Sequence, residues 1–252
     1  MKPFRILLAL IVTLFAGIAI NAQHTSYSTL AVKAQRYYNY QEWPNAAAMY
    51  ELMLAQRPDV PATYSYAIVT AAMRNDTTTQ VRLMERAAKN AVPFDSLFST
   101  IRHQATLLGH PTIYSNFMHR VAQQQPWMKR IVDIRLLEFY RFRRDADSTI
   151  ATAQILLETT PDNIEFITAL AEAYTLKAYM DAAESQYRRI LELDPNNLNT
   201  LLILGNYYRS LAESSSADKA ADYRAQALAM LSRAQQISAT PYLSTIIKEL
   251  QQ

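Results

Sequence analysis

The sequence predicts an all-α fold, a solenoid of about six helix–turn–helix repeats closed by a C-terminal helix. Three observations carry that prediction. Prolines form a ladder at Pro58, Pro93, Pro126, Pro161 and Pro195, with steps of 35, 33, 35 and 34 residues, and Pro241 follows after 46. Proline cannot continue a helix and holds the residue before it out of the helical region, so a proline period is a period of helix ends. Between the prolines, small and aromatic residues recur three and four apart, the spacing that places side chains on one helix face. Glycine occurs only as Gly17, Gly109 and Gly205 in 252 residues. That scarcity excludes most glycine-rich phosphate loops. It also predicts few left-handed turn residues, and therefore helices joined by short loops.

Residues 1–22 read as an export signal. Lys2 and Arg5 precede an apolar run of 15 residues, Ile6 to Ile20, and Asn21-Ala22-Gln23 offers a small residue at a cleavage point. As a helix that run would span about 22 Å against a hydrocarbon core of roughly 30 Å, so cleavage before Gln23 is expected and a retained anchor is the alternative. With no cysteine there is neither a lipobox nor a disulfide. The expected address is periplasmic or secreted. The net charge of +3 falls to +1 once Lys2 and Arg5 are removed, and a nearly neutral chain gives no nucleic-acid footprint.

The repeats follow in order. Residues 27–60 carry Ala34 and Tyr37 on a first helix and Ala46, Tyr50 and Met53 on a second, with Lys33 in an apolar slot. Residues 61–94 carry Tyr64, Ala67 and Ala71, then a polar turn from Asn75 to Thr79, then Met84 and Ala87. In 95–128, Phe98, Ile101 and Ala105 share a face, Gly109-His110-Pro111 breaks the chain, and Tyr114, Met118 and Val121 follow. In 129–163, Val132, Leu136 and Phe139 precede a second helix around Ser148 to Glu158, with Arg135 in an apolar slot.

Residues 164–197 are the clearest unit: Leu170, Ala171 and Tyr174, then Ala183 and Tyr187, then Pro195. In 198–240, Leu201, Leu204, Gly205 and Tyr208 repeat the first half. The second helix starts late, capped by Ser215 or Ser216, with Ala227, Leu231 and Ala234. The segment 241–252, with Leu243, Ile246, Ile247 and Leu250, predicts an amphipathic helix covering the apolar end that stacked repeats expose.

These residues resemble the tetratricopeptide repeat, a 34-residue helix–turn–helix unit, with Ile167 where the family often has tryptophan. The resemblance implies a right-handed α-solenoid that acts as a binding scaffold. Its first helices would line a concave groove for an extended segment or helix of a partner. Carried over by register, that groove would hold Gln35, Tyr38, Asn39, His103, Asp133, Tyr140, Arg141, Glu172, Asn206 and Arg209.

Groups for catalysis are few. His24, His103, His110 and His119 include no pair four apart as in a helical zinc site. There is no thiol, no nucleophile elbow and no phosphate loop. No enzyme activity, cofactor or metal is expected. The basic stretch Lys129, Arg130, Arg135, Arg141, Arg143 and Arg144, interleaved with Phe139, Tyr140 and Phe142, has two readings: an aromatic-edged patch for an acidic peptide, glycan or polymer, or cations paired with Asp133, Glu138, Asp145 and Asp147. Of the 16 tyrosines, most fall on repeat faces and are core, whereas Tyr38 and Tyr140 follow a core aromatic and point elsewhere. Asp76-Thr77-Thr78, Asp95-Ser96-Leu97 and Asp147-Ser148-Thr149 resemble an O-glycan acceptor pattern, although helix capping explains such tripeptides more simply. The expected function is a non-catalytic scaffold of the bacterial envelope that binds a protein partner. The alternative is a glycan- or peptide-ligand-binding protein using groove Tyr and Arg side chains.

Overall fold

The structure is a computed structural model that describes residues 25–252. The expected export signal, its cleavage point and His24 lie outside the described residues. Among those described there are thirteen α-helices and no strand. They are α1 (Tyr27–Asn39), α2 (Trp43–Gln56), α3 (Pro61–Met73), α4 (Thr77–Lys89), α5 (Phe94–Leu107), α6 (Thr112–Gln124), α7 (Lys129–Arg143), α8 (Ala146–Thr159), α9 (Ile164–Leu176), α10 (Met180–Leu193), α11 (Leu198–Ser214), α12 (Ala217–Ile237) and α13 (Pro241–Leu250). Every expected repeat is a helical hairpin, and the end helix is present.

The two kinds of helix end explain the period. Four second helices, α2, α6, α8 and α10, stop at an extended residue directly before a ladder proline: Arg57, Gln125, Thr160 and Asp194, with φ between −130° and −138°. Proline imposes that geometry on its predecessor. The first helices end differently. In α9 the Tyr179 N–H reaches the Tyr174 carbonyl at 2.9 Å and the Ala178 N–H reaches that of Thr175 at 3.0 Å, the paired closure in which the residue past the cap is left-handed. The same pattern closes α1, α3, α5 and α7.

The left-handed residues are Gln41, Asn75, Gly109, Arg144 and Ala178, with φ between 55° and 76°. Ala91, after α4, makes a sixth at 51°. The expectation of few left-handed turns is therefore wrong. The turns use that conformation throughout, and five of the six positions accept a side chain.

Helix starts are held by side-chain caps. Ser26, Asp76, Asp145, Asn163, Asn197 and Thr240 each accept a hydrogen bond from the backbone N–H three residues on. Capping thus accounts for Asp76 in the first of the acceptor-like tripeptides. Of the two serines expected to cap α12, Ser216 stands at the cap position, but its side chain makes no capping hydrogen bond.

The described chain forms two compact units, residues 25–126 and 127–252. In the first, α3 is the hub. It touches α2, α4 and α5, and Thr63, Tyr64, Ser65, Ala67, Ile68, Val69, Thr70 and Ala71 are all buried. Eight consecutive-to-near residues cannot lie on one face at 3.6 per turn, so α3 is enclosed around its girth. Two of its polar groups are met from neighbours: Tyr27 and Thr63 hydroxyls lie 2.8 Å apart, and Ser65 donates to the Leu97 carbonyl at 3.1 Å, whereas Thr70 Oγ1 is buried without a partner.

In the second unit each hairpin packs on the next from α7 to α12, and α13 lies on α12. Its main core joins Ile167, Ala171, Ala183, Tyr187, Ile190, Leu204, Tyr208, Ala227 and Leu231 to Leu243, Ile246 and Leu250 of α13. The alanines are where backbones approach. Gly205 takes this furthest, since a Cβ there would stand 2.6 Å from Leu231. Leu170 joins a neighbouring cluster with Leu137, Ala153, Leu156, Phe166 and Ala169.

Candidate interaction surface

The sequence places the candidate residues on first helices, and the structure divides them. In the first unit Gln35 and Asn39 are exposed and bonded to each other, Nε2 to Oδ1, at 2.8 Å. His103 on α5 is exposed. Tyr38 is not an open groove residue, because it is 4% exposed and its hydroxyl donates to Gln104 Oε1 at 3.3 Å. Its ring meets those of Tyr66 and Trp43 edge-on, with centroids 5.0 and 5.5 Å apart. Burial and the neighbouring Tyr66 push its hydroxyl pKa far above the usual phenol value. Tyr37, expected in the core, is only half-buried.

In the second unit Tyr140 is likewise core, 9% exposed with its ring 5.5 Å from that of Phe139. Asp133 accepts from Lys129 at 2.6 Å, one helical turn away. Arg141 on α7 and Glu172 on α9 form an ion pair at 2.8 Å between neighbouring first helices. Asn206 bonds the Leu202 carbonyl at 2.9 Å, and Arg209 lies 4.0 Å from Glu213. The structure thus brings Arg141 and Glu172 together, and leaves Asn206 and Arg209 a helix away with partners of their own.

The basic stretch is mostly spent on local partners. Besides the two pairs above, Arg135 meets Glu138 at 3.0 Å and Arg130 donates to Thr159 Oγ1 at 2.8 Å. The Arg143 guanidinium stands 5.8 Å from the centre of the Phe139 ring. Two carboxylates expected as partners have other duties, Asp145 capping α8 and Asp147 pairing with Lys177. The hydrogen bond that Lys177 donates to Asp147 raises the Lys177 pKa above its ordinary value. Pairs as exposed as these add little stability, typically about 0–1 kcal/mol. They do fix side-chain positions on the surface.

Of the aromatic edge expected along the basic stretch, Phe142 alone is open, and the aliphatic residues around it are what sequence reasoning missed. On the first helices of this unit Phe142 is 82% exposed, and Ile131, Leu176 and Ile203 are between 41 and 45% exposed. Phe142 and Leu176 are one 34-residue step apart, so they hold equivalent places on α7 and α9. That step was the available signal. An aromatic left in water beside a fixed ion pair is a common mark of a recognition surface, apolar in contact and polar at its edge.

Among the described residues no group of three or more His, Cys, Asp or Glu is arranged to hold a metal ion, and no helix is long and apolar enough to cross a membrane.

No family model matches the chain, and no curated protein matches it. Solved structures do. A protein of Bacteroides ovatus is 16% identical over 76% of this chain and 96% of its own, with a TM-score of 0.47. The C-terminal part of a TPR repeat-containing protein from Cytophaga hutchinsonii is 14% identical over 84% of this chain and 87% of its own, at 0.45. The MamA protein of AMB-1 is 16% identical over 74% and 97%, also at 0.45. Identities this low and scores below one half assign no family. What the structure shows is an all-α array of helical hairpins, whose 34-residue period and alanine and glycine helix contacts resemble those of the tetratricopeptide repeat.

Proposed function

We propose that the chain is a non-catalytic scaffold of the bacterial envelope, holding a segment of a protein partner against the first helices of its second unit. The observation that carries this is the exposed Phe142, repeated one period later by Leu176, beside the Arg141–Glu172 pair. Burying an exposed Phe ring on a partner is worth about 1.5–3 kcal/mol. The charged groups around it would set register rather than affinity. The envelope address is motivated by the export-type residues 1–22.

The test is site-specific photocrosslinking in intact cells of the bacterium that encodes the chain. A photoreactive residue at position 142 or 176 should give a discrete crosslinked protein, and one at the exposed Lys33 on α1 should not. Phe142→Ala or the double change Arg141→Glu/Arg209→Glu should weaken recovery of that protein at least fivefold. Equal recovery with every variant would remove this surface from consideration. N-terminal sequencing of the envelope fraction should read from Gln23, and a cytosolic chain that retains Met1 would overturn the address.

A further inference from the structure

The second helices of the first unit carry an arginine without a counter-charge. Arg120 on α6 is half-buried beside α4. Of its guanidinium nitrogens, Nη2 donates to Gln80 Oε1 at 2.8 Å, while Nε is buried without any partner. Gln80 is 1% exposed and neutral, so this bond satisfies a proton without offsetting the charge. Among the described residues Arg120 takes part in no ion pair. Burial lowers its pKa, with no opposing contribution from a nearby carboxylate.

The guanidinium borders a surface cleft of about 310 Å³, whose other walls include Thr77, Thr78, Arg82, Glu85 and Gln124. Arg82 is already committed to Glu51 at 2.8 Å. The cleft therefore holds one cation outside any ion pair, two threonine hydroxyls, and the exposed carboxylate of Glu85. Removing a cation from water without pairing it is costly. Residues that lower the stability of the free protein are typical of sites that work on something else.

We infer that this cleft receives a carboxylate side chain, Asp or Glu, from a protein segment docking on α4 and α6. The charge balance selects the ligand. One free guanidinium matches one negative charge, and the carboxylate of Glu85 at the rim disfavours a doubly charged phosphate. With Nε buried and Nη2 held by Gln80, Nη1 is the nitrogen left to donate a charge-assisted hydrogen bond to a carboxylate. The threonine hydroxyls supply further donors beside it.

The test uses the purified chain in low salt, with melting temperature and calorimetric affinity as readouts. The probe is a blocked octapeptide with one central glutamate. Its glutamine version, acetate and inorganic phosphate are the comparison arms, and Arg120→Met and Arg120→Lys are the variants. Without ligand, Arg120→Met should melt within a degree or two of the wild type, because removing an unpaired cation offsets leaving the buried Gln80 Oε1 without its donor. The glutamate peptide should stabilise the wild type saturably and bind Arg120→Met at least tenfold more weakly. Arg120→Lys should fall between them, and Phe142→Ala should bind as wild type does.

Equal binding of the glutamate and glutamine peptides, or equal binding to Arg120→Met, would overturn the site. Tighter binding of phosphate would overturn the carboxylate, and acetate binding as tightly as the peptide would overturn the protein source. A loss of several degrees in unliganded Arg120→Met would show that the arginine serves the fold instead. None of these results depends on the surface at Phe142, so the two sites fail or stand separately.

Discussion

Gly205 on α11 and Leu231 on α12 meet so closely that a Cβ on the glycine would stand 2.6 Å from both Cγ and Cδ2 of the leucine. Leu231 is fully buried, so it has no free space to yield. Gly205→Ala gains helix propensity, worth about 1 kcal/mol, and loses more to overpacking, about 1–3 kcal/mol. A net loss in urea denaturation is expected. Adding Leu231→Ala should relieve the clash, so the two costs should not sum. Additive losses would mean that the residues are not in contact.

Glu184 links three side chains in the same unit. Burial alone would raise its pKa, but hydrogen bonds from Tyr208 at 2.6 Å and Arg188 at 2.7 Å outweigh it and hold the carboxyl below its ordinary value. A carboxyl whose pKa is lower folded than unfolded stabilises the protein above the ordinary carboxylate range. That contribution is lost as pH falls through the folded value. Glu184→Gln should therefore cost about 1–2 kcal/mol near neutrality and less at acid pH, flattening the acid limb of the stability curve. A constant cost across pH would show that the carboxylate charge is immaterial.

Ala178 holds φ at 57°, where a Cβ is disfavoured. Glycine there removes the strain but gives the unfolded chain more freedom. Relief of strain outweighs that added freedom, so Ala178→Gly should stabilise by about 0.5–1 kcal/mol. Arg144→Gly, with φ of 55°, should behave alike. A loss of stability at both positions would contradict the turn geometry.

Asp76 accepts the Thr79 N–H at 3.0 Å at the start of α4, and that bond chiefly holds its pKa low. Asp76→Ala should cost about 1 kcal/mol, the usual value of a lost helix cap. Asp76→Ser should recover most of it. A chain that tolerates alanine without change would leave the cap reading unsupported.

Much of this architecture is legible in the sequence because its two markers are local. A proline dictates its predecessor, and Ala171, Ala183 or Gly205 stands where two neighbouring helices must come close. The candidate surface was less legible, for a reason visible at Tyr38. Local periodicity makes Tyr37 the core residue and turns Tyr38 outward, yet Gln104, from the third hairpin, caps the Tyr38 hydroxyl. A contact between residues 66 apart leaves no trace in a helical pattern. Phe142 was legible as an aromatic edge of the basic stretch and is indeed open, whereas Leu176 and Ile203 carry no charged neighbour pattern to set them apart from core residues. The turns misled for a third reason: glycine scarcity signals scarce left-handed turns only if nothing else compensates, and here the paired backbone bonds after α1, α3, α4, α5, α7 and α9 do.

The enclosure of α3 sets an order of events within the first unit. A helix wrapped on every side gives up its amide protons only when its surroundings open, so deuterium should enter α3 after it has entered α1, α4 and α6. Whatever loosens the first three hairpins must therefore act at their rim, and the middle helix will be the last to register it.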